Sequence, residues 1–330
     1  MGGDVGADVT VPAVLKFLDQ QHSVGIILVG LADAINGALT ANGGDKPQYR
    51  SRIEVVTASE VVAMDEPPAL ALKKKKDSSM RVAINLVKER KAGACVSAGN
   101  TGALMATAKF VLKTIKGIDR PAIISTMPCK NSKQTVHMLD LGANVDSTPE
   151  MLLQFALMGS VLTQYVDKKP NPTVGLLNVG AEEIKGSDKV KKTAALLTAS
   201  SLNYVGFVEG NELFTSKVDL IVCDGFEGNV ALKSSEGAAA MIFSVLREEL
   251  RRGLWSRLVA GLALPILKRI QSRLDPRRHN GATLLGLNGI VVKSHGGTDT
   301  FGFLHALQEA NAQLQRDVTA HISEEVEKLL

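Results

Sequence analysis

Short β-branched runs alternate with helical periodicity along this chain. Residues 24–30 (VGIILVG) are apolar and end on glycine, which predicts a buried strand, with a helix over 33–39 after it. Ile53–Val56 predicts another strand. Met80 to Arg90 carries apolar residues at 80, 82, 83, 84, 86 and 87, the spacing of a helix packed on a sheet. Ala94–Ser97 reads as a strand and Thr101–Leu112 as the next helix; strands follow near 123–125 and at 136–139. Thr148-Pro149-Glu150 is a helix start, with a capping hydroxyl, proline at the first helical position and then an acid. Residues 174–179, 219–223 and 289–293 predict further strands. Strand, glycine-containing turn, helix, repeated many times, predicts an α/β fold with a mostly parallel sheet flanked by helices. Ligands of such folds bind beyond the carboxyl ends of the strands. No repeat or low-complexity linker divides the chain, so one α/β domain is expected over residues 1–330.

Composition narrows the class. The 330 residues are 45% hydrophobic and 22% charged, as in a folded globular protein. A net charge of +4 is too mild for wholesale nucleic-acid binding. Cys95, Cys129 and Cys223 are far apart and form no CxxC, which argues against a disulfide framework or a cysteine zinc site and for a reducing, intracellular setting. The N-terminus has neither a basic nor an apolar leader region, so no secretory signal is expected. No apolar run reaches the ~20 residues that span a bilayer.

Candidate chemistry sits in glycine-rich turns. In Ser97-Ala98-Gly99-Asn100-Thr101-Gly102, glycines permit close backbone approach, the following helix aims free N–H groups at an anion, and Ser97, Asn100 and Thr101 add side-chain donors. The bland alternative is an ordinary strand-to-helix turn capped by Asn100 or Thr101. Neither GxxxxGK[ST] nor GxGxxG occurs. Asn229 reads as the opening of a helix, a cap or an amide donor in an oxyanion site. Lys185 lies in a polar, glycine-flanked loop, either solvated or a cation for developing negative charge. His295, after a strand and before Gly296-Gly297, is an acid, a base or a local hydrogen-bond donor. His137 and Cys223 lie in apolar strands and read as core. The run Lys73–Lys76 is a solvated loop or a dock for an acidic protein.

Residues 247–278 hold nine basic and three acidic residues, a net +6 against +4 for the whole chain. Leu258, Leu262, Ile266, Ile270 and Leu274 recur at four-residue steps beside Trp255 and Val259, one apolar stripe edged by arginine and kinked or interrupted at Pro265. A protruding helical segment over 245–280 is expected, lying in a membrane surface through Trp255, Leu258, Leu262 and Ile266, or buried in a dimer.

In series, these motifs resemble the bacterial acyl-(acyl-carrier-protein):phosphate acyltransferases of phospholipid synthesis. The likeness runs from Met1-Gly2-Gly3-Asp4 through Ser79-Met80-Arg81, Ser97–Met105, Asp140-Leu141-Gly142-Ala143-Asn144, Gly180–Gly186, Cys223–Val230 and Asn280–Gly289 to Lys293-Ser294-His295-Gly296, nearly the whole chain. The resemblance implies a fold similar to phosphate acetyltransferases and to isocitrate and isopropylmalate dehydrogenases, a homodimer, and peripheral association with the inner face of the cell membrane. It implies acyl-carrier-protein and inorganic phosphate as substrates, with no cofactor and no metal. Candidate phosphate or substrate contacts are then Asp4, Ser97, Gly99, Asn100, Thr101, Gly102, Asp140, Asn144 and Gly228; candidate catalytic residues are Lys185, Asn229 and His295. Two departures stand out. Family members carry a short strand before Met-Gly-Gly-Asp, and Ala7 stands where proline is common, so a strand beside the turn is expected to be missing or to lie upstream of Met1.

A thioester is already activated and its thiolate leaves with a pKa of about 8 to 9, so this chemistry needs no strong general acid. It needs phosphate oriented and an oxyanion stabilised. Competing readings are a phosphate acyltransferase for coenzyme A thioesters, a membrane-bound carrier-protein adaptor, and a decarboxylating nicotinamide dehydrogenase with Asp219 and Asp224 as metal ligands.

Overall fold

A computed structural model describes residues 1–131 and 134–329. In chain order its elements are α1 (Ala7–Gln20), β1 (Ile26–Gly30), α2 (Ala32–Ala41), α3 (Pro47–Arg50), β2 (Ile53–Thr57), α4 (Pro68–Lys74), α5 (Ser79–Lys88), β3 (Ala94–Ser97), α6 (Thr101–Leu112), β4 (Ala122–Met127), β5 (Val136–Leu139) and α7 (Pro149–Val166). There follow β6 (Val174–Leu177), α8 (Asp188–Ala199), β7 (Tyr204–Val208), β8 (Leu220–Val222), α9 (Gly225–Arg251), α10 (Leu254–Arg273), β9 (Ala282–Leu285), β10 (Ile290–Lys293), α11 (Thr300–Gln315) and α12 (Val318–Leu329).

The main sheet has eight strands in the order β3-β10-β9-β4-β5-β8-β6-β7. Its two ends are parallel, as the alternation predicts: β3 with β10, and β5, β8, β6 and β7 together. They are joined through antiparallel pairs involving β9 and β4. The reason is connection length. Only residues 128–135 link β4 to β5, and 286–289 link β9 to β10. A parallel crossover needs about a dozen residues or more. One rung of the ladder therefore crosses Val292, Thr283, Ile124, Leu139, Val222, Leu176 and Phe207, while the strands on either side of β9 and β4 leave that rung in opposite directions. The carboxyl ends of β3 and β10 emerge at one edge of the sheet; those of β5, β8 and β6 emerge at the other.

Apolar helices cover both faces. On one, α5 and α6 bury Met80, Ile84, Ala103, Leu104 and Ala108 against Cys95 of β3 and Val291 of β10. Elsewhere α7 packs Phe155, Met158 and Leu162 with Leu139, Leu176 and Leu220. Strands β1 and β2 form a separate parallel pair carried on α1 and α2. One edge of β1 and one edge of β3 stay unpaired, and a cavity of about 680 Å³ lined by both strands lies between them. No strand of the described residues fills it.

Helices α9 and α10 pack on each other as a hairpin. No residue of α10 is buried, and Trp255 is 78% exposed. The stripe at 258, 262, 266 and 270 lies on one helix that runs through Pro265, so the stripe is not interrupted there. The hairpin also begins earlier than residue 245: Met241 and Ile242 of α9 are already exposed. Arg273, the last residue of α10, donates to the Lys130 carbonyl just beyond β4, which ties the hairpin's base to the edge where β10 ends. Among the described residues no helix is long and apolar enough to cross a membrane.

Candidate active site

The first edge gathers three glycine turns. Asp4 N–H donates to Gly296 O at 3.1 Å, Ser294 N–H donates to Ser97 O at 2.8 Å, and a Cβ on Gly3 would meet Ala98 Cβ at 3.1 Å. Residues 2–4, 97–100 and 294–297 thus touch one another. Ser97 Oγ accepts from Gly99 N–H at 3.2 Å, which leaves its own proton free to donate. A Cβ on Gly99 would press on Met80 Cε at 2.9 Å, so glycine lets the turn lie flat on α5. His295 is exposed; its N–H donates to Asn280 Oδ1 at 2.9 Å and its Nδ1 accepts from Gly297 N–H at 3.3 Å.

Asn100 takes the bland role. Its Oδ1 caps α6 by accepting from Ala103 N–H at 3.0 Å, and its Nδ2 donates to Met64 O at 2.8 Å and Glu66 O at 3.0 Å. With 9% of its surface exposed, its amide holds the loop before α4 and is not free to reach a ligand. The N–H groups of Thr101 and Gly102 are different: Thr101 and Gly102 are exposed, and neither N–H has an acceptor among the described residues. Two backbone donors at the positive end of a helix therefore face solvent beside Ser97.

The second edge gathers the other candidates. Asp140 is fully buried, and its carboxylate accepts from Ile123 N–H at 2.9 Å, Ala143 N–H at 3.0 Å, Asn144 N–H at 2.7 Å and Asn144 Nδ2 at 2.9 Å. Burial raises its pKa against the pull of those bonds. Asn144 Nδ2 also donates to Pro121 O, and Asn144 O accepts from Gly225 N–H. A Cβ on Gly228 would collide with Asp140 O. Asp140, Asn144 and Gly228 thus hold a turn against the start of α9 and are not exposed contacts.

Asp224 caps α9, accepting from Phe226 N–H at 2.9 Å, Ser147 N–H at 2.5 Å and Lys189 Nζ at 3.1 Å. Burial works against its ionisation, yet these bonds and the Lys189 charge hold its pKa down at about 2. The helix therefore starts before Asn229, whose amide is no cap; it is exposed in the second turn and packs on Gly142, whose φ of +111° suits glycine alone. Lys185 is also exposed at this edge, paired with Glu182 at 2.8 Å, and that bond raises its pKa. Such a surface pair contributes little and dissociates readily.

The candidates thus divide. Asp4, Ser97, Gly99, Asn100, Thr101, Gly102 and His295 share one edge; Asp140, Asn144, Lys185, Gly228 and Asn229 share the other. Asp219 precedes β8 and binds Lys169 and Thr173, whereas Asp224 follows β8, so the strand separates them as a metal pair. His137 is buried between Thr126 and Asp167, the latter at 2.8 Å, as a core histidine would be. Cys223 is buried and burial pushes its thiol well up, which disfavours a nucleophile. One side chain at the first edge escapes the sequence pattern: Lys293, the last residue of an apolar strand, is buried.

Comparison with known proteins adds to this geometry. The family model described as fatty acid synthesis protein matches residues 1–321. A phosphate acyltransferase of Chromobacterium violaceum is 58% identical over 330 residues, covering 100% of this chain and 94% of that protein. A phosphate acyltransferase of Nitrosococcus oceani is 55% identical over 330 residues, covering 100% and 96%. Among solved structures, a phosphotransacetylase from Streptococcus pyogenes aligns with a TM-score of 0.60 at 17% identity over 94% of this chain and 91% of that one. A putative 4-hydroxythreonine-4-phosphate dehydrogenase from Salmonella typhimurium aligns at 0.52 and 11% identity over 95% and 98%. The two structures share the fold.

Proposed function

The chain belongs to the fatty acid synthesis protein family, and from that premise we propose that it moves a fatty acyl group from an acyl-carrier-protein thioester to inorganic phosphate. A phosphate oxygen attacks the thioester carbonyl carbon, the C–S bond breaks, and the proton lost by hydrogen phosphate leaves on the thiol. The product is an acyl phosphate for phospholipid synthesis. The observation that carries this reading is the pair of unpartnered N–H groups at Thr101 and Gly102, beside the Ser97 hydroxyl and beyond the end of a parallel strand. They make a seat for a tetrahedral anion. Asn100 and Gly99 support that seat, and Asp4 and His295 border it.

Asn229 and Lys185 are the oxyanion donors of this proposal. They lie at the opposite edge from the seat, so one chain does not present both halves to one acyl group. A homodimer in which each protomer's Asn229 edge faces its partner's seat unites them. The arginine-edged hairpin rises at the seat's edge, its apolar residues exposed, and suits an anionic membrane surface. Lys73, Lys74 and Lys76 are exposed at the end of α4, whose Pro68 lies against Gly102, and offer an acidic carrier protein a dock beside the seat.

Phosphate-dependent release of free thiol tests the reading, with acyl-carrier-protein and acyl-coenzyme A compared as donors. Release from the carrier protein that stops without phosphate is expected. Release from coenzyme A alone moves the donor to the closer alternative, and no release from either leaves an adaptor.

A further inference from the structure

Lys293 ends β10 in register with Ser97 of β3. Paired residues of parallel strands point to the same face, and residues two apart along a strand share a face. Val291 and Cys95, two residues before this pair, belong to the core under α5 and α6. The Lys293 stem therefore lies on the α6 side of the sheet, beneath the 97–102 turn. Only 8% of the residue is exposed. Its ammonium donates to the carbonyl of the adjacent Ser294, and among the described residues no carboxylate lies within ion-pair distance.

A buried ammonium with no carboxylate bonded to it is costly, and lysines are almost never fully buried unless paired. Burial pushes the Lys293 pKa down to about 8, with the Asp4 carboxylate opposing the shift. An ammonium has three donors, and one is satisfied by Ser294. The other two have no acceptor among the described residues. Ser97, its register partner, opens the turn that carries the N–H groups of Thr101 and Gly102, which have no acceptor among the described residues.

Resting on the acyl-transfer reading above, we propose that Lys293 is a substrate-binding residue: its ammonium grips the inorganic phosphate from below while the Ser97 turn holds it from above. Phosphate brings a countercharge bonded directly to the buried ammonium, and the lysine fixes the nucleophile's orientation toward the thioester.

The test compares wild type with Lys293→Met, which keeps the stem's length and apolar packing, and Lys293→Arg, which keeps a cation. Two readouts are taken: the thermal shift produced by inorganic phosphate, and the KM for phosphate against the KM for the acyl donor. Lys293→Met should lose the phosphate-induced shift and raise the phosphate KM about tenfold or more, the scale of one charge-assisted hydrogen bond, while the donor KM moves less than about twofold. Lys293→Arg should recover part of the shift. Equal phosphate stabilisation and equal phosphate KM in wild type and Lys293→Met would overturn the assignment. If methionine prevents folding, phosphate titration of wild-type protein carrying 13C-labelled lysine Cε, with Lys293→Arg for assignment, replaces it; an unmoved Lys293 resonance overturns the proposal. A wild type that binds phosphate yet releases no thiol would refute the acyl-transfer reading and leave the lysine's role standing.

Discussion

Replacing Asn100 with alanine separates a scaffold role from a ligand role. The side chain caps α6 through Ala103 N–H and ties the loop before α4 through the Met64 and Glu66 carbonyls. Losing an N-cap costs about 1 kcal/mol. Each of the two shorter amide bonds contributes about 1 kcal/mol more, and the carbonyls left behind regain water only if the loop opens. The sum is about 3 kcal/mol, a large share of the stability of a typical domain. Pro68 leads out of that loop and packs near Gly102, so the contact beside the α6 terminus loosens as well. Urea unfolding of Asn100→Ala should show a midpoint shift of that size with little change in slope. Asn100→Asp, which keeps the cap acceptor and loses the donors, should fall between the two. A wild-type midpoint combined with a raised phosphate KM would refute this reasoning and make Asn100 a ligand.

Other outcomes follow from the second edge and the hairpin. Asn229→Ala and Lys185→Ala should fold normally and each lower turnover about 10²- to 10³-fold, as loss of an oxyanion donor does; wild-type rates from the purified variants would remove them from the mechanism. Leu258→Glu with Leu262→Glu should release the protein from anionic vesicles in co-sedimentation, and unchanged binding would mark the stripe as a packing surface. The folded pKa of Asp224 lies below the ordinary 3.8, so its contribution is complete above about pH 5 and fades as pH falls toward 2. That contribution is about 2 kcal/mol. Asp224→Asn should lower stability by that amount at pH 7 and flatten the acid limb of the unfolding curve between pH 4 and 2; parallel limbs would contradict the assignment.

The architecture was legible because periodicity reports burial. Strands such as 94–97 and 136–139 and the capped start at Thr148 fall where the pattern puts them. Strand β9 was not legible, since Ala282-Thr283-Leu284-Leu285 sits among glycines and gains strand character only between β10 and β4. The motifs marked glycine turns but not the sides of the sheet on which they lie. Nothing in Asp140-Leu141-Gly142 says that β4 precedes it by a hairpin and so turns its strand to the other edge. Asn100 has the chemistry of a ligand and of a cap, and only the placement of Met64 and Glu66 decides between them. Lys293 was hidden for the opposite reason: a lysine after three apolar residues looks like a strand reaching solvent, and its burial depends on what α6 and residues 2–4 cover.

Soaking a crystal of the protein with inorganic phosphate tests the central claim most directly. The account predicts tetrahedral density on the N–H groups of Thr101 and Gly102, within reach of Ser97 Oγ. A phosphate seated instead at the Asp140–Asn229 edge, with the 97–102 turn empty, would contradict it.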